Sequence, residues 1–247
     1  MNPLVAEFLG TFILVLIGDG VCANVNLRDT KGSRSGWLVI TTGWGLAVFV
    51  AVMCTAEYSD AHINPAVTIG LAVAGEFAWD LVAGYVLCQF FGALLGGVFV
   101  YLFYVQHFRI TDDANAKLGS FCTIPAIRGT VPNVFSEIVG TFVLVLAVLL
   151  AVGATVTMDG DPARDLKVGL GAIGALPVGL IVFAIGIGLG GTSGYAINPA
   201  RDLGPRIAHA ILPIPGKRDS DWSYAWIPVV GPVLGGVAAA AVYLTVI

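Results

Sequence analysis

Long apolar runs separated by short polar segments dominate the pattern along this chain. A helix that crosses the hydrocarbon core of a bilayer needs about 20 mostly apolar residues. Six stretches are long enough: residues 4–25, 37–56, 80–104, 133–156, 169–191 and 222–247. The main polar connectors, rich in Gly, Pro, Asp, Arg and Lys, are residues 26–36, 105–132, 157–168 and 209–221. The pattern predicts an all-α membrane protein with six transmembrane helices.

Two further apolar stretches, residues 64–75 and 198–208, are too short to cross a bilayer. Each is roughly ten residues long, near 15 Å as a helix, or about half the hydrocarbon thickness. Each opens with Asn at an N-cap position and Pro at the first helical position, which together are a strong helix start. The motifs are Asn64-Pro65-Ala66 and Asn198-Pro199-Ala200. We therefore expect two re-entrant half-helices, a structure tolerated at membrane depth only where it is buried in protein or lines a watery cavity.

The two halves of the chain carry an internal repeat. Residues 6–18 (AEFLGTFILVLIG) match residues 136–148 (SEIVGTFVLVLAV) at seven of thirteen positions with an offset of 130, and the Asn-Pro-Ala motifs recur with an offset of 134. Because each half holds three spans, the second half must enter the membrane from the opposite side, which gives an inverted repeat. We divide the chain, a single domain over residues 1–247, into a first repeat, 1–108, a connector, 109–132, and a second repeat, 133–247.

Half-helices in an inverted repeat approach from opposite faces and meet with their N-terminal ends at the middle of the membrane. Each of these ends is equivalent to about +0.5 elementary charge. A cation, or a proton on a chain of waters, would meet an electrostatic barrier there. The side-chain amides of Asn64 and Asn198 can donate hydrogen bonds to a neutral solute instead. The pattern therefore favours a pore for neutral solutes that excludes ions and protons.

Composition narrows the class of function further. Hydrophobic residues make up 57% of the chain and charged residues 11%, against roughly 25% charged residues in a soluble domain. A formal net charge of −4 argues against nucleic acid as a partner, because no basic surface neutralises phosphates. The spacing of the four cysteines fits neither a zinc site nor a disulfide framework. Without an H-E-x-x-H or G-x-S-x-G motif, we expect no enzyme, no cofactor and no metal.

Three sequence elements carry a resemblance to a known family. They are the repeated Glu-x-x-Gly-Thr, the segment Ala61-His62-Ile63-Asn64-Pro65-Ala66-Val67-Thr68, and Asn198-Pro199-Ala200-Arg201. Together they resemble the major intrinsic protein (aquaporin) family, and Asp202 directly after Arg201 resembles its glycerol-facilitator branch. The resemblance implies an aquaporin-like fold of six transmembrane helices plus two half-helices, one pore per subunit, and a homotetramer in a lipid bilayer.

The same resemblance implies a selectivity filter formed by Trp44, Gly186, Tyr195 and Arg201. Water-selective members typically place Phe and His at the first two positions, whereas here Gly186 removes a side chain and Trp44 supplies an indole wall. The implied lumen is wider and half apolar. Its aromatic corner accepts the carbon backbone of glycerol, while the five donors of the Arg201 guanidinium bind neighbouring hydroxyls. The pore carbonyls expected to accept from those hydroxyls belong to Gly190, Gly191 and Thr192.

Four further polar residues are assigned supporting roles. Glu7 and Glu137 occupy matching positions of the repeat, so we expect buried acceptors that brace the half-helix loops rather than a proton relay. Asp202 is expected to cap a helix or pair nearby, for example with Arg206, rather than face the lumen. His62 has no partner cluster that suggests a metal site, so we expect a structural or gate-lining residue.

The distribution of basic residues conflicts with the topology that the resemblance implies. Members of the family keep both termini in the cytoplasm. With the pore-associated Arg201 and Arg206 left out, this topology places eight Lys and Arg residues outside and two inside, opposite to the positive-inside rule. We follow the family topology, with cytoplasmic termini and a location in the plasma membrane of a bacterium.

The leading hypothesis is a passive channel for glycerol and similar small neutral solutes, with some water permeability. A mainly water-selective pore is the alternative within the same class. From another class, an ion-coupled secondary transporter also uses inverted repeats and broken helices. Such a transporter is expected to use acidic residues near the midplane, and the spans hold three acidic candidates: Glu7, Asp19 and Glu137.

Overall fold

The computed structural model describes residues 1–151, 155–158, 161–167 and 169–247. The first half of the chain forms helices α1 (Pro3–Asn26), α2 (Trp37–Ser59), α3 (Pro65–Val73), α4 (Trp79–Phe103), α5 (Val105–Ile110) and α6 (Ala114–Leu118). The second half forms α7 (Thr130–Leu149), strands β1 (Thr155–Met158) and β2 (Asp161–Lys167), and helices α8 (Leu176–Leu189), α9 (Pro199–Ile211) and α10 (Ile227–Val246). A short 3-10 helix, Gly171–Ala175, leads directly into α8.

Six helices of the described chain are long and apolar enough to cross a membrane, which confirms the predicted number of spans. They are α1, α2, α4, α7, α10 and the segment Gly171–Leu189 that contains α8. Two spans have a bound that differs by more than three residues from the sequence prediction. The fourth span runs over Thr130–Leu149 instead of 133–156, and the sixth begins at Ile227 instead of 222 because turns occupy 222–226. Positions 152–154, 159, 160 and 168 of the predicted fourth span and following connector lie outside the described residues.

The two predicted half-helices are present as α3, with nine residues, and α9, with thirteen. α3 ends at Val73, two positions before Gly75, whose φ of 81° breaks the helix. α9 extends to Ile211, beyond the predicted 208. The Lys217 ammonium stabilises this longer end, because it donates to the backbone carbonyls of the final turn and the cap. The acceptors are the carbonyls of His209 at 2.6 Å, Ala210 at 2.8 Å and Leu212 at 2.7 Å.

The repeat extends to the packing of the spanning helices. α1 packs against α4 and α7 packs against α10. At the two crossings, a Cβ on Gly92 of α4 would collide with the carbonyl oxygen of Phe8, and one on Gly235 of α10 with that of Ile138. Phe8 and Ile138 are equivalent positions of the repeat. Glycine therefore permits the same close helix approach in both halves.

The molecule carries its apolar residues outside and many of its polar residues inside. Large side chains on the spanning helices are exposed, including Phe91 at 60% and Phe103 at 79%, while Gln89 and Arg206 are fully buried. A water-soluble monomer rarely exposes so much contiguous apolar surface. This distribution is that of a multi-pass membrane protein, whose outer surface faces hydrocarbon.

The connector between α7 and α8 forms a short antiparallel hairpin. Thr155 pairs with Lys167 and Val156 pairs with Leu166 in β1 and β2. The hairpin lies in sequence between two spanning segments. β2 falls within the predicted connector 157–168, whereas Thr155 and Val156 of β1 belong to the predicted fourth span. The membrane-spanning part remains all-α, as predicted.

Candidate functional site

The N-terminal ends of α3 and α9 meet tip to tip and are cross-linked by their capping asparagines. The Asn64 side-chain amide donates to the carbonyl of Ile197 at 2.8 Å, and the Asn198 amide donates to the carbonyl of Ile63, also at 2.8 Å. The Oδ1 atoms of both residues accept from backbone amides of their own helices, at Ala66 and Ala200. Pro65 and Pro199 begin the two helices. The two motifs therefore form one joint structure that neither half could form alone.

Two buried carboxylates hold the loops that lead into these tips. Glu7 accepts from the Ser59 hydroxyl at 2.6 Å and from the backbone amides of His62 and Ile63 at 3.0 and 2.7 Å. Glu137 accepts from the Ser193 hydroxyl at 2.6 Å and from the amides of Ala196 and Ile197 at 3.0 and 2.8 Å. Both glutamates are fully buried. The structure thus places them where the repeat predicted acceptors that brace the loops.

These carboxylates stabilise backbone that is strained in the same way in both loops. Ile63 and Ile197 have φ values of 44° and 43°, and Ala61 and Tyr195 have values of 49° and 40°. A positive φ is unfavourable for residues with a Cβ and especially for β-branched isoleucine. Each such position costs about 1–3 kcal/mol unless its surroundings enforce it. Hydrogen bonds from the Ile63 and Ile197 amides to charged acceptors offset that cost and direct both carbonyls toward the opposite asparagine.

A cavity of about 190 Å³ lies beside the contact between the N-terminal ends of α3 and α9. Its wall is mainly apolar, with contributions from Leu14, Val48, Val52, Val67, Leu144 and Val182. The polar residues of its lining include Asn64, Asn198, Arg201, Tyr195 and His62. An apolar wall with a few convergent polar groups is the usual composition of a site for a small molecule.

Three of the four predicted filter residues, Trp44, Tyr195 and Arg201, line this cavity, and Gly186 lies beside Tyr195. The guanidinium carbon of Arg201 lies 4.0 Å from the ring centroid of Trp44, a cation–π contact. A Cβ on Gly186 would lie 2.8 Å from Cζ of Tyr195, so the Tyr195 ring occupies the space that Gly186 leaves free. The sequence prediction had assigned that space to a wider lumen. Because Gly186 has no side chain, the Tyr195 ring fills that space instead. Tyr195, Trp44 and Arg201 contribute to the cavity wall.

The three predicted pore carbonyls lie in the loop after α8. The Gly190 carbonyl accepts from the Gly194 amide at 3.0 Å, and the Thr192 carbonyl accepts from the Ala126 amide at 2.9 Å. These bonds tie the loop to itself and to the long connector. A carbonyl oxygen has two lone pairs, so each retains capacity for a second donor. Gly190, Gly191 and Thr192 are all described, and none belongs to the lining of the 190 Å³ cavity.

His62 and Asp202, the remaining predicted site residues, have different surroundings. His62 lines the cavity, with Nδ1 3.2 Å from Oγ1 of Thr68 and its ring against Phe77 and Tyr85. Asp202 is fully buried behind the filter, where it accepts from Arg206 at 2.8 and 2.9 Å and from Thr123. The predicted pairing of Asp202 with Arg206 is therefore present. No cluster of three or more His, Cys, Asp or Glu that could hold a metal occurs in the described residues.

Several site residues were missed by sequence reasoning. Ser59 and Ser193 both donate to a bracing glutamate, and their offset of 134 equals that of the Asn-Pro-Ala motifs, so the repeat could have identified them. Gln89 donates to Glu7 at 2.7 Å and Thr123 to Asp202 at 2.6 Å. For Gln89 and Thr123 no signal was available, because neither belongs to a motif.

This geometry of paired half-helix tips, bracing glutamates and a lumen agrees with what sequence comparison finds. The model of the family described as "Major intrinsic protein" matches residues 1–243. The chain belongs to the major intrinsic protein family. This confirms the resemblance inferred from the motifs.

Individual relatives of the family are similar along nearly the whole chain. A probable glycerol uptake facilitator protein of Thermotoga maritima is 54% identical over 243 residues, which cover 98% of each chain. A glycerol uptake facilitator protein of Streptococcus pneumoniae is 53% identical with the same coverage. Among solved structures, the aquaglyceroporin from Plasmodium falciparum superposes with a TM-score of 0.82 at 32% identity, covering 99% of this chain and 95% of that one. The predicted fold class and the glycerol-facilitator branch are thus confirmed.

Proposed function

We propose that this chain is a passive channel for glycerol and similar small neutral solutes, with some water permeability, and that it excludes ions and protons. The observation that carries the proposal is the cavity beside the half-helix tips, where the Trp44–Arg201 stack joins an apolar wall to hydrogen-bond donors. Relatives more than 50% identical to it are named glycerol uptake facilitators.

Glycerol has a CH face and a hydroxyl face, and the lumen offers a partner for each. The rings of Trp44 and Tyr195 contact the CH face. Arg201 donates to the hydroxyl oxygens, as do the two capping asparagines, since each side-chain amide has two N–H groups and gives one to a carbonyl of the opposite loop. Beyond this constriction the solute passes along aliphatic side chains such as Val182 and Val48, which hold it weakly.

Exclusion of cations follows from the positive ends of the two half-helices. An ion would also lose much of its hydration in an apolar lumen that offers few replacements. Movement is downhill diffusion, so the proposal needs no chemical step, cofactor or coupling ion.

For the assembly we propose one channel domain over residues 1–247, with a first repeat at 1–108, a connector at 109–132 and a second repeat at 133–247. We further propose a homotetramer in a bacterial plasma membrane, with one pore per subunit and both termini in the cytoplasm. The exposed apolar faces of the spanning helices supply surface for lipid and for neighbouring subunits. Native mass spectrometry tests the tetramer, and reporter fusions at both termini test the orientation.

Stopped-flow light scattering on proteoliposomes tests the transport proposal. Vesicles placed in hyperosmotic glycerol are expected to shrink as water leaves and then to reswell as glycerol enters, faster than protein-free liposomes. Replacing the lumen-facing Val182 by Trp should abolish both accelerated phases by filling the cavity. The same change at Val242, an exposed residue of α10, is the matched control and should leave both phases intact.

The rival hypotheses give different results in the same experiment. Fast shrinking without accelerated reswelling would indicate a water-selective pore. Glycerol entry that saturates, or that responds to a Na⁺ or pH gradient, would indicate an ion-coupled transporter. Either result would contradict the proposed channel.

A further inference from the structure

A buried acidic residue of α1 lies beside Arg201. It is not part of the Glu-x-x-Gly-Thr motif that α1 carries at residues 7–11. Asp19 of α1 is 1% exposed, and its Oδ1 lies 3.9 Å from Nη1 of Arg201. Oδ2 of Asp19 and Nη1 of Arg201 are both sealed from solvent, and within the described residues neither has a hydrogen-bond partner. The two side chains are therefore opposite charges whose sealed atoms have no other partner among the described residues.

Other charges close to the filter are already engaged. Asp202 is held by both Arg206 and Thr123, and Glu137 is held by the loop before α9. Asp19 has no such competing partner among the described residues, so its charge is directed to Arg201 alone. The guanidinium carbon of Arg201 in turn lies 4.0 Å from the ring centroid of Trp44, which leaves Asp19 as the acid that neutralises it.

The internal repeat gives independent support for treating the two charges as a unit. With the offset of 130 that relates α1 to α7, the equivalent of Asp19 is Leu149; with the offset of 134 that relates the half-helices, the equivalent of Arg201 is Val67. The pair Asp19 and Arg201 therefore has a symmetry-related counterpart, Leu149 and Val67, in which both residues are apolar. The acid is present where the base is present and absent where it is absent.

The positive charges at the middle of the membrane present no barrier to small anions. The half-helix ends and the Arg201 guanidinium are all positive, so they repel cations, but positive helix ends attract anions. A small anion would therefore be favoured by each of these positive groups. A negative charge fixed behind Arg201 removes that preference.

We propose that Asp19 is a positioning residue that holds Arg201 at the pore wall and cancels its net charge. The constriction then selects solutes by their hydroxyl groups and rejects small anions as well as cations. This inference rests on the proposed channel function, because it concerns the selectivity of that same lumen.

The test is the nearly isosteric variant Asp19→Asn in proteoliposomes, with nitrate as the small anion. Vesicles are placed in hyperosmotic potassium nitrate with valinomycin, so that reswelling reports nitrate entry while potassium balances the charge. We expect nitrate entry about tenfold faster than in the wild type, equivalent to ~1.4 kcal/mol of barrier. Proton flux, followed with a trapped pH dye, should not rise. Leu149→Asn, which places the same amide at the repeat-equivalent position, is the matched control and should pass nitrate at the wild-type rate.

Two results would overturn the proposal. One is nitrate entry in Asp19→Asn that equals that of the wild type. The other is a parallel change of water, glycerol and nitrate flux, which indicates a structural effect and not a change in charge selectivity. If wild-type vesicles pass no glycerol, the proposed function fails, yet the nitrate measurement still reports on Asp19 and Arg201.

A second variant covers the case in which Asp19→Asn does not fold. The double change Asp19→Leu with Arg201→Val copies the apolar pair Leu149 and Val67 of the other half, so no buried charge is left unpaired. Nitrate entry in this variant should remain at the wild-type level, because the positive charge is removed together with the negative one. Fast nitrate entry in the double variant would contradict the proposal.

Discussion

The two half-helices begin alike and then diverge. Both start with a capping asparagine that donates to the opposite loop, and both loops are held by a buried glutamate and a serine. Four residues beyond the asparagine, however, α3 has Thr68 where α9 has Asp202. Thr68 contacts the neutral side chains of His62 and Gln89, whereas Asp202 anchors a buried arginine.

This difference separates the part of the molecule that must be symmetric from the part that need not be. The tips face each other across one joint, so a change in one requires a matching change in the other. The bodies of the two half-helices extend toward opposite sides of the membrane and are free to differ. α9 carries Arg201 of the proposed filter and a second buried ion pair, while α3 is held by neutral hydrogen bonds. We infer a duplicated support that carries a single filter.

The largest effect is expected where the body of α9 is held by charge. Asp202→Asn leaves Arg206 buried without its counter-charge, and losing one partner of a buried pair costs about 3–5 kcal/mol. Thr68→Val at the equivalent position removes neutral hydrogen bonds and should cost only about 1–3 kcal/mol. The midpoint of thermal unfolding in detergent, followed by tryptophan fluorescence, compares the two variants. Equal midpoints would show that the two bodies are held equally well.

The second prediction concerns the symmetric tips. Glu7→Gln and Glu137→Gln each place an amide N–H₂ where donors converge, so at least one backbone N–H loses its acceptor. Hydrogen bonds to charged groups contribute about 1.5–3 kcal/mol each, and we expect a loss of that size in both variants. Glycerol and water flux should fall together, because the tips move as a unit. A variant that kept wild-type stability and flux at one glutamate alone would contradict the equivalence of the tips.

The third prediction tests the one donor that the halves do not share. Gln89 of α4 adds a 2.7 Å hydrogen bond to Glu7. Gln89 lies three residues before Gly92, and Gly92 and Gly235 occupy equivalent places in the helix packing. The matching position in α10, three residues before Gly235, is Pro232, which has no side-chain donor. Gln89→Leu therefore leaves Glu7 with the same kinds of donor that suffice for Glu137. We expect a cost of about 1 kcal/mol and unchanged glycerol flux. A loss as large as that of Glu7→Gln would show that the first half depends on Gln89 in a way the second half does not.

The smallest effect on stability is expected at Tyr195, whose repeat equivalent is Ala61. The Tyr195 hydroxyl is buried without a hydrogen-bond partner in the described structure, so Tyr195→Phe removes a group that stabilises nothing. The unfolding midpoint should be unchanged or slightly higher, within about 0.5 kcal/mol. A clear loss of stability would show that the hydroxyl has a structural partner.

The sequence predicted the symmetric part of the site better than the asymmetric part. Asn64 with Asn198, and Glu7 with Glu137, recur at fixed offsets, so their places in the structure followed from the repeat. The contacts of Asp19, Gln89 and Thr123 join segments far apart in the chain, and no motif or period marks them. The space beside Gly186 was misjudged for a related reason, because its occupant, Tyr195, arrives from another loop. Spacing locates a residue along an element but does not say which distant side chain fills the space beside it.

The most direct test of a neutral-solute pore is to measure glycerol and proton flux in the same wild-type vesicles. Light scattering reports glycerol entry, and a trapped pH dye with valinomycin reports protons. The structure predicts accelerated glycerol entry that rises linearly with the gradient, together with a proton flux equal to that of protein-free liposomes. A saturating glycerol flux, or proton movement through the protein, would contradict it.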